Sequence, residues 1–124
     1  MPNSPFSAAV REGPDIGTVV LRGDITVDAE PEMSRAYARI AGGVAPVIVL
    51  DFSGVDYINS TGIALIVALL GDARRDGRDV RAFGVSSHYV EIFQITRLSD
   101  YMPIFADAAS ASVVPSPSIA GGQP

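Results

Sequence analysis

The sequence contains neither cysteine nor lysine, and its only histidine is His88. Without cysteine the chain can form no disulfide, no thiolate nucleophile and no cysteine metal site. Without lysine it offers no Schiff-base residue and no phosphate-binding lysine of a Walker loop. One histidine cannot build a multi-histidine metal site within one chain. We therefore predict no catalytic residue, no cofactor and no bound metal.

Long apolar runs are also missing. The longest, Ile63 to Leu70, is far shorter than the roughly 18 residues that a membrane-spanning helix needs, and Gly71 ends it. The first residues show no basic region followed by an apolar stretch, so we see no secretory signal. We expect a soluble, cytoplasmic protein with no membrane partner.

Basic charge is scarce. The chain has nine arginines against 14 acidic residues, and its formal net charge is −5. The largest basic group consists of Arg74, Arg75, Arg78 and Arg81. A nucleic-acid-binding protein normally carries a larger basic patch, so we interpret this group as a solvated helix end and strand entry. We expect no nucleic-acid partner.

The remaining composition is that of one globular domain, because 48% of the 124 residues are hydrophobic and 19% are charged. Residues 1–5 are predicted to be a flexible start, and residues 6–112 the domain. Residues 113–124 are rich in Pro, Ser and Gly. Such a segment cannot bury enough apolar surface to offset its ordering entropy, so we predict a disordered tail there.

Apolar runs and helical periodicities alternate along the chain. The predicted strands are 6–11, 18–22, 47–51, 80–84 and 102–105, and the predicted helices are 28–41, 60–75 and 88–96, with one or two helical turns in 106–112. This alternation predicts an α/β fold with a mostly parallel sheet, and an initial hairpin makes the sheet mixed. We expect four or five strands with helices packed on one face.

Three details of this prediction bear on the site. Residues 23–26 are predicted to break the second strand, and residues 54–59 are predicted to form a loop. The second helix is apolar almost all round between Ile63 and Leu70, which predicts a deeply packed rather than an amphipathic helix.

The most informative stretch follows the strand at 47–51. It places Asn59-Ser60-Thr61-Gly62 at the start of the predicted second helix. Asn and Ser are good N-caps, and a helix N-terminus offers unpaired N–H groups with a partial positive charge. A phosphoryl group there would suit the fold and would place a charge of about −1.5 to −2 on the surface, enough to repel a partner. We expect Gly62 to keep the surface around the hydroxyl open. Two interpretations stay open: a phosphorylated switch, or hydroxyls that only cap the helix.

The stretch from Val47 to Ile63 resembles the signature of STAS domains. In that signature an apolar strand, Asp-aliphatic-Ser and a loop precede Asp-Ser-Ser-Gly-aliphatic at a helix start. The resemblance runs from roughly Thr18 to Phe105 and includes Gly23-Asp24-Ile25-Thr26, where the family often has Gly-Glu-Leu-Asp. It implies a STAS-like fold for residues 6–112.

The resemblance also implies a function. In the anti-sigma-factor antagonists of this family the second hydroxyl of the motif is phosphorylated, and it falls on Thr61, with Ser60 as second choice. The implied partner is an anti-sigma factor with an ATP-binding kinase fold, bound by the unphosphorylated protein and released by phosphorylation, with a phosphatase to reverse the modification. The implied partner-binding residues are Asp24, Thr26, Asn59, Ser60, Thr61, Gly62 and Ile63. Thr26 and Asn59 stand where acidic residues are usual, and Thr61 replaces the commoner serine.

Other functions compete with this interpretation. His88 with a serine and an aspartate could nominally form a catalytic triad, but no Gly-x-Ser-x-Gly elbow is present, so we predict a non-enzyme. The main alternative is a non-phosphorylated STAS domain that senses a ligand or nucleotide or serves as a scaffold, although the sequence has no Gly-rich phosphate loop.

Overall fold

A computed structural model describes residues 4–113 of the chain. Its elements are β1 (Ser7–Arg11), β2 (Ile16–Ile25), α1 (Glu30–Ala41), β3 (Val47–Ile58), α2 (Ser60–Arg75), β4 (Asp79–Phe83), α3 (Ser87–Ile95), β5 (Ile104–Phe105) and α4 (Ala108–Ala111). Two 3-10 turns, Val27–Ala29 and Leu98–Asp100, precede α1 and β5. The predicted tail lies, except for Val113, outside the described residues, as do the first three residues of the predicted flexible start.

The five strands form one sheet in the order β1-β2-β3-β4-β5. β1 and β2 pair antiparallel because only a short turn joins them, whereas each later pair is parallel and has a helix in its connection. This arrangement confirms the predicted α/β fold with a mixed, mostly parallel sheet.

The central strand β3 is buried on both faces, which explains its continuous apolar run. Ile48 and Leu50 pack in the main core with side chains of α1, α2 and α3. Val47 and Val49 belong to a smaller cluster with Ala111 of α4. The three longer helices therefore cover one face, as predicted, and the short α4 packs on the other.

Two strands run further than the sequence predicts. β2 continues through residues 23–25 and β3 through residues 54–58, where we expected a break and a loop. Their pairing shifts register between Val20 and Arg22 and again between Gly23 and Asp24. The Gly and Asp residues that favour a strand end therefore mark irregular positions in a pair that continues.

Arg78 joins the end of α1 to the start of β4. Its Nη1 donates to the carbonyls of Ile40 and Ala45 at 3.3 and 2.6 Å. Its Nη2 donates to the carbonyls of Ala41 and Gly43 at 3.1 and 3.0 Å. These bonds satisfy acceptors that the last turn of a helix and the following loop leave unpaired.

Arg81 is also structural, since it is only 8% exposed and its Nη1 donates to the carbonyls of Ala111 (3.1 Å) and Val113. Our interpretation of the basic group as a solvated surface is therefore wrong for Arg78 and Arg81. It holds for Arg74 and Arg75, which are exposed.

α2 is less enclosed than its apolar run predicts. Ile66 is 1% exposed in the core, whereas the adjacent Val67 is 50% exposed, and Ala64 and Ala68 are exposed as well. The prediction of a deeply packed rather than an amphipathic helix is therefore wrong for this outward face. Apart from Val67, the side chains of this face are the small Ala64 and Ala68, which leave little apolar area to cover.

The contrast between neighbouring positions of α2 gives a test of the fold. We expect Ile66→Asp to abolish folding, because an unpaired charge in the core costs several kcal/mol. Val67→Asp, one residue further, should cost less than about 1 kcal/mol because its carboxylate stays in water. Urea denaturation followed by circular dichroism measures both. Equal stabilities of the two variants would contradict this packing.

Candidate functional site

The carboxyl ends of β2 and β3 form the edge at which α2 begins. Ile25 and Ile58 pair in register, and the N–H of Asn59 donates to the carbonyl of Ile25 at 3.3 Å. A Cβ added to Gly62 would collide with the same carbonyl group, whose carbon would lie 2.8 Å away. Gly62 is thus buried and allows close backbone approach, whereas we expected it to keep a surface open.

Asn59 caps α2. Its Oδ1 accepts a hydrogen bond from the N–H of Gly62 at 2.9 Å, and its carbonyl accepts one from Ile63 at 2.9 Å. Neither the Ser60 nor the Thr61 hydroxyl forms a hydrogen bond to another residue within 4–113. Capping therefore does not account for these two hydroxyls.

Ser60 and Thr61 occupy the first two positions of α2, and both are exposed. Their N–H groups have no intrahelical acceptor, because they lie in the first turn. This turn contains no acidic side chain, so the partial positive charge of the helix start is not neutralised locally. The geometry suits a negative group attached to either hydroxyl.

Asp24 and Thr26 lie at the same edge, and both are half-buried. The Asp24 Oδ2 accepts from the N–H of Ser4 at 3.2 Å, and the Asp24 N–H donates to the Ser4 carbonyl at 3.0 Å. The Thr26 hydroxyl accepts from the N–H of Asp28 at 3.4 Å and caps the 3-10 turn that follows. Both residues therefore support the local backbone beside the start of α2.

The model of the STAS domain family matches residues 7–111, most of the chain. The chain belongs to the STAS domain family. It is similar to the anti-sigma-B factor antagonist of Staphylococcus aureus (strain NCTC 8325 / PS 47), with 27% identity over 86 residues, 69% of this chain and 80% of that protein.

Solved structures share the fold. An anti-sigma factor antagonist from Mycobacterium paratuberculosis gives a TM-score of 0.69 at 20% identity, covering 86% of this chain and 91% of the other. The antagonist SpoIIAA gives 0.65 at 12% identity in its unphosphorylated form, covering 86% and 92%. The phosphorylated form of SpoIIAA gives 0.60 at 15% identity, covering 86% and 96%.

In this STAS domain two large apolar side chains are exposed at the edge where α2 begins. Val27, in the 3-10 turn that contacts α2, is 62% exposed, and Tyr57, the register partner of Asp24, is 43% exposed. Apolar and aromatic groups on a polar surface are typical of protein interfaces. Neither residue can be selected from the sequence alone, because the exposure of a Val or a Tyr follows from the tertiary structure.

Tyr89 of α3 fixes the residue before the cap. Its hydroxyl accepts from the N–H of Ile58 at 2.9 Å and donates to the carbonyl of Ile58 at 3.3 Å. Its ring lies 6.5 Å from that of Phe93, which packs edge-on against Phe52 at 5.8 Å. Tyr89 is not among the site residues predicted from the sequence. The one indication that the sequence offers is that a tyrosine on the apolar side of a helix needs a hydrogen-bond partner for its hydroxyl.

The catalytic triad considered for His88 finds no support in the geometry of the described residues. His88 is exposed, its ring lies edge-on to Tyr89 at 4.8 Å, and it forms no ion pair with a carboxylate of residues 4–113. In the same residues no cluster of three or more histidine, aspartate or glutamate side chains could hold a metal ion. None of the described helices is long and apolar enough to cross a membrane.

Tyr89→Phe tests whether α3 holds the start of α2. We expect a loss of about 1–3 kcal/mol in the free energy of unfolding, because both backbone groups of Ile58 lose their partner. Amide exchange at the hydrogen-bonded N–H groups of Ile58, Asn59 and Gly62 should become faster, by the factor that corresponds to a similar loss of free energy. Tyr101→Phe is the matched control, since Tyr101 is 59% exposed. Wild-type exchange rates at these three amides in Tyr89→Phe would contradict this role.

Proposed function

We propose that this chain is an anti-sigma-factor antagonist controlled by phosphorylation of Thr61. In its unphosphorylated form it binds an anti-sigma factor with an ATP-binding kinase fold, and phosphorylation by that partner releases it. Transcription is then regulated indirectly, through the sigma factor that the partner sequesters. A phosphatase returns the protein to its binding form, and the exchange takes place in the cytoplasm.

The observation that carries this proposal is the free hydroxyl of Thr61. Asn59 alone supplies the side-chain cap of α2, so the Thr61 hydroxyl is left exposed and without a hydrogen bond to the described residues. It stands at the positive end of a 16-residue helix. A kinase can reach such a group, and the helix tolerates the phosphoryl group that results.

The relatives support the choice of partner. Relatives from Staphylococcus aureus and Listeria monocytogenes are named anti-sigma-B factor antagonists, and one structural neighbour, SpoIIAA, is known in unphosphorylated and phosphorylated forms. In the anti-sigma-factor antagonists that this motif resembles, the second hydroxyl is the phosphorylated one, which favours Thr61 over Ser60.

The proposed release is electrostatic. The partner-binding surface comprises the exposed Val27 and Tyr57 with the exposed Ser60 and Thr61 at the start of α2. Asp24, Thr26 and Asn59 shape this surface, and Gly62 and Ile63 orient it. A phosphoryl group at Thr61 adds a charge of about −1.5 to −2 to an apolar contact, where burying an unpaired charge is costly.

The test uses purified anti-sigma factors of the kinase-fold class from the source genome, each incubated with ATP and the chain. We expect mass spectrometry to place one phosphate on Thr61, and Ser60→Ala to be phosphorylated normally. Phosphate on Ser60 would overturn the site assignment, and phosphorylation by none of these factors would overturn the switch.

Binding of the same partner, measured by calorimetry, tests the release. We expect Thr61→Ala to bind within about threefold of the wild type and Thr61→Glu to bind at least tenfold more weakly, a loss of about 1.4 kcal/mol. Ala108→Glu is the control, because it adds the same charge at the start of α4 on the other face of the sheet. Circular dichroism should show all three variants folded, since Thr61→Ala removes no hydrogen bond to the described residues and a negative charge at a helix start stabilises the helix by roughly 0.3–1 kcal/mol. Wild-type affinity of Thr61→Glu would contradict the mechanism.

A further inference from the structure

A cavity of about 700 Å³ lies at the opposite end of α2 from Thr61. Its walls are the last turns of α2, the start of β4 and the segment that joins α3 to β5. The volume falls in the range of about 300–1,000 Å³ that is typical of small-molecule sites. Since α2 is roughly 24 Å long, the cavity does not overlap the proposed partner-binding surface.

The cavity has an apolar floor. Leu70, Val80 and Leu98 line it and are buried in the main core. Val67 and Tyr101 line it as well and are 50% and 59% exposed, so two large apolar side chains face solvent at its mouth. These surfaces suit the flat apolar body of an aromatic ligand, which would cover them.

The charged groups of the cavity favour an anion. Four arginines and two aspartates line it: Arg74, Arg78, Arg81, Arg97, Asp79 and Asp100. This excess of positive charge occurs in a chain whose net charge is −5. A positive cavity on a negative protein attracts anions selectively.

Two of these arginines are available to a ligand. Arg78 and Arg81 are engaged with backbone carbonyls, as described above. Arg74 has no ion-pair partner within residues 4–113, and its guanidinium lies 5.5 Å from the centre of the Tyr101 ring. Arg97 is exposed and bonds Asp100 through its Nε at 2.7 Å, which leaves its terminal nitrogens for an acidic group.

Two residues of the cavity depart from local sequence preferences. Gly71 lies inside α2, where alanine would stabilise the helix by about 1 kcal/mol. A Cβ there would meet only the Nη1 of Arg75 at 3.9 Å, so packing does not demand glycine. Arg97 has a φ of 67°, in a position after a helix that usually holds glycine. Such departures concentrate at functional sites, and both help to form this cavity.

We propose that the cavity binds a small aromatic anion. The ring lies on the apolar floor beside Val67 and Tyr101, and its carboxylate or phosphate is held by Arg74 and Arg97. This inference is independent of the switch at Thr61.

The probe is 8-anilinonaphthalene-1-sulfonate, an aromatic anion whose fluorescence rises on binding. We expect saturable binding at one site per chain, weakened about five- to tenfold by Arg74→Gln. Arg35→Gln, which removes an exposed arginine of α1, should bind as the wild type does. The neutral analogue N-phenyl-1-naphthylamine should bind wild type and Arg74→Gln equally. An equal effect of Arg74→Gln and Arg35→Gln would show non-specific charge attraction and overturn the proposal.

Gly71→Leu tests the location. Its side chain should occupy part of the cavity and obstruct the ring of the ligand while the helix keeps its stability, and we expect loss of probe binding with unchanged circular dichroism. Wild-type affinity of Gly71→Leu for the probe would place binding elsewhere and overturn the proposal. Thr61→Glu should leave the affinity unchanged, which separates this site from the switch.

Competition against the bound probe shows whether the site prefers a carboxylate or a phosphate on the ligand. 1-Naphthoate and 1-naphthyl phosphate share a ring system and differ in the acid, so the stronger competitor identifies the preferred group. In nuclear magnetic resonance spectra the displaced signals should belong to Val67, Gly71, Leu98 and Tyr101. Failure of both anions to compete would contradict an anion site.

Discussion

One backbone carbonyl, that of Ile25, positions the first turn of α2. This oxygen accepts from the N–H of Asn59, and Gly62 lies so close to it that no side chain would fit between them. The contact fixes where α2 begins relative to β2 and therefore where Thr61 stands relative to Asp24 and the 3-10 turn after it. Every property assigned to the candidate site depends on this placement.

Two side chains hold the same end of the helix. The Asn59 amide satisfies the N–H of Gly62, and the Tyr89 hydroxyl satisfies both backbone groups of Ile58. These partners come from the single residue between β3 and α2 and from α3. The exposed hydroxyls of Ser60 and Thr61 are therefore not needed to stabilise the start of the helix. This arrangement suits a site of phosphorylation, because the residue that is modified makes no contact on which the local structure depends.

The fold class follows from the sequence because periodicity is a local property. The apolar run of β3, the helical spacing in α1 and the Gly-Pro-Asp turn before β2 are sufficient to predict a mixed α/β sheet. The STAS signature then locates the start of α2 to the residue.

The predictions from the sequence are wrong where contacts between residues far apart in the chain determine the local structure. Arg78 and Arg81 bond carbonyls more than 25 positions away, so sequence reasoning treats them as a solvated surface. The extended ends of β2 and β3 exist because the two strands pair with each other despite their Gly and Asp residues. The role of Gly62 depends on the carbonyl of Ile25, and that of Tyr89 on the N–H of Ile58. No rule of sequence spacing predicts either contact.

The buried guanidinium of Arg81 has a consequence for how this fold can be joined to others. It is held by the carbonyl of Ala111, the last residue of α4, and by that of Val113, two residues further on. A polypeptide interrupted before these carbonyls would leave the buried cation with only the Asp79 carboxylate, at 3.9 Å, as a partner, at a cost of several kcal/mol. The modular unit therefore extends past its last secondary-structure element. In a multidomain arrangement, a junction placed before Val113 would have to supply a carbonyl at the same position.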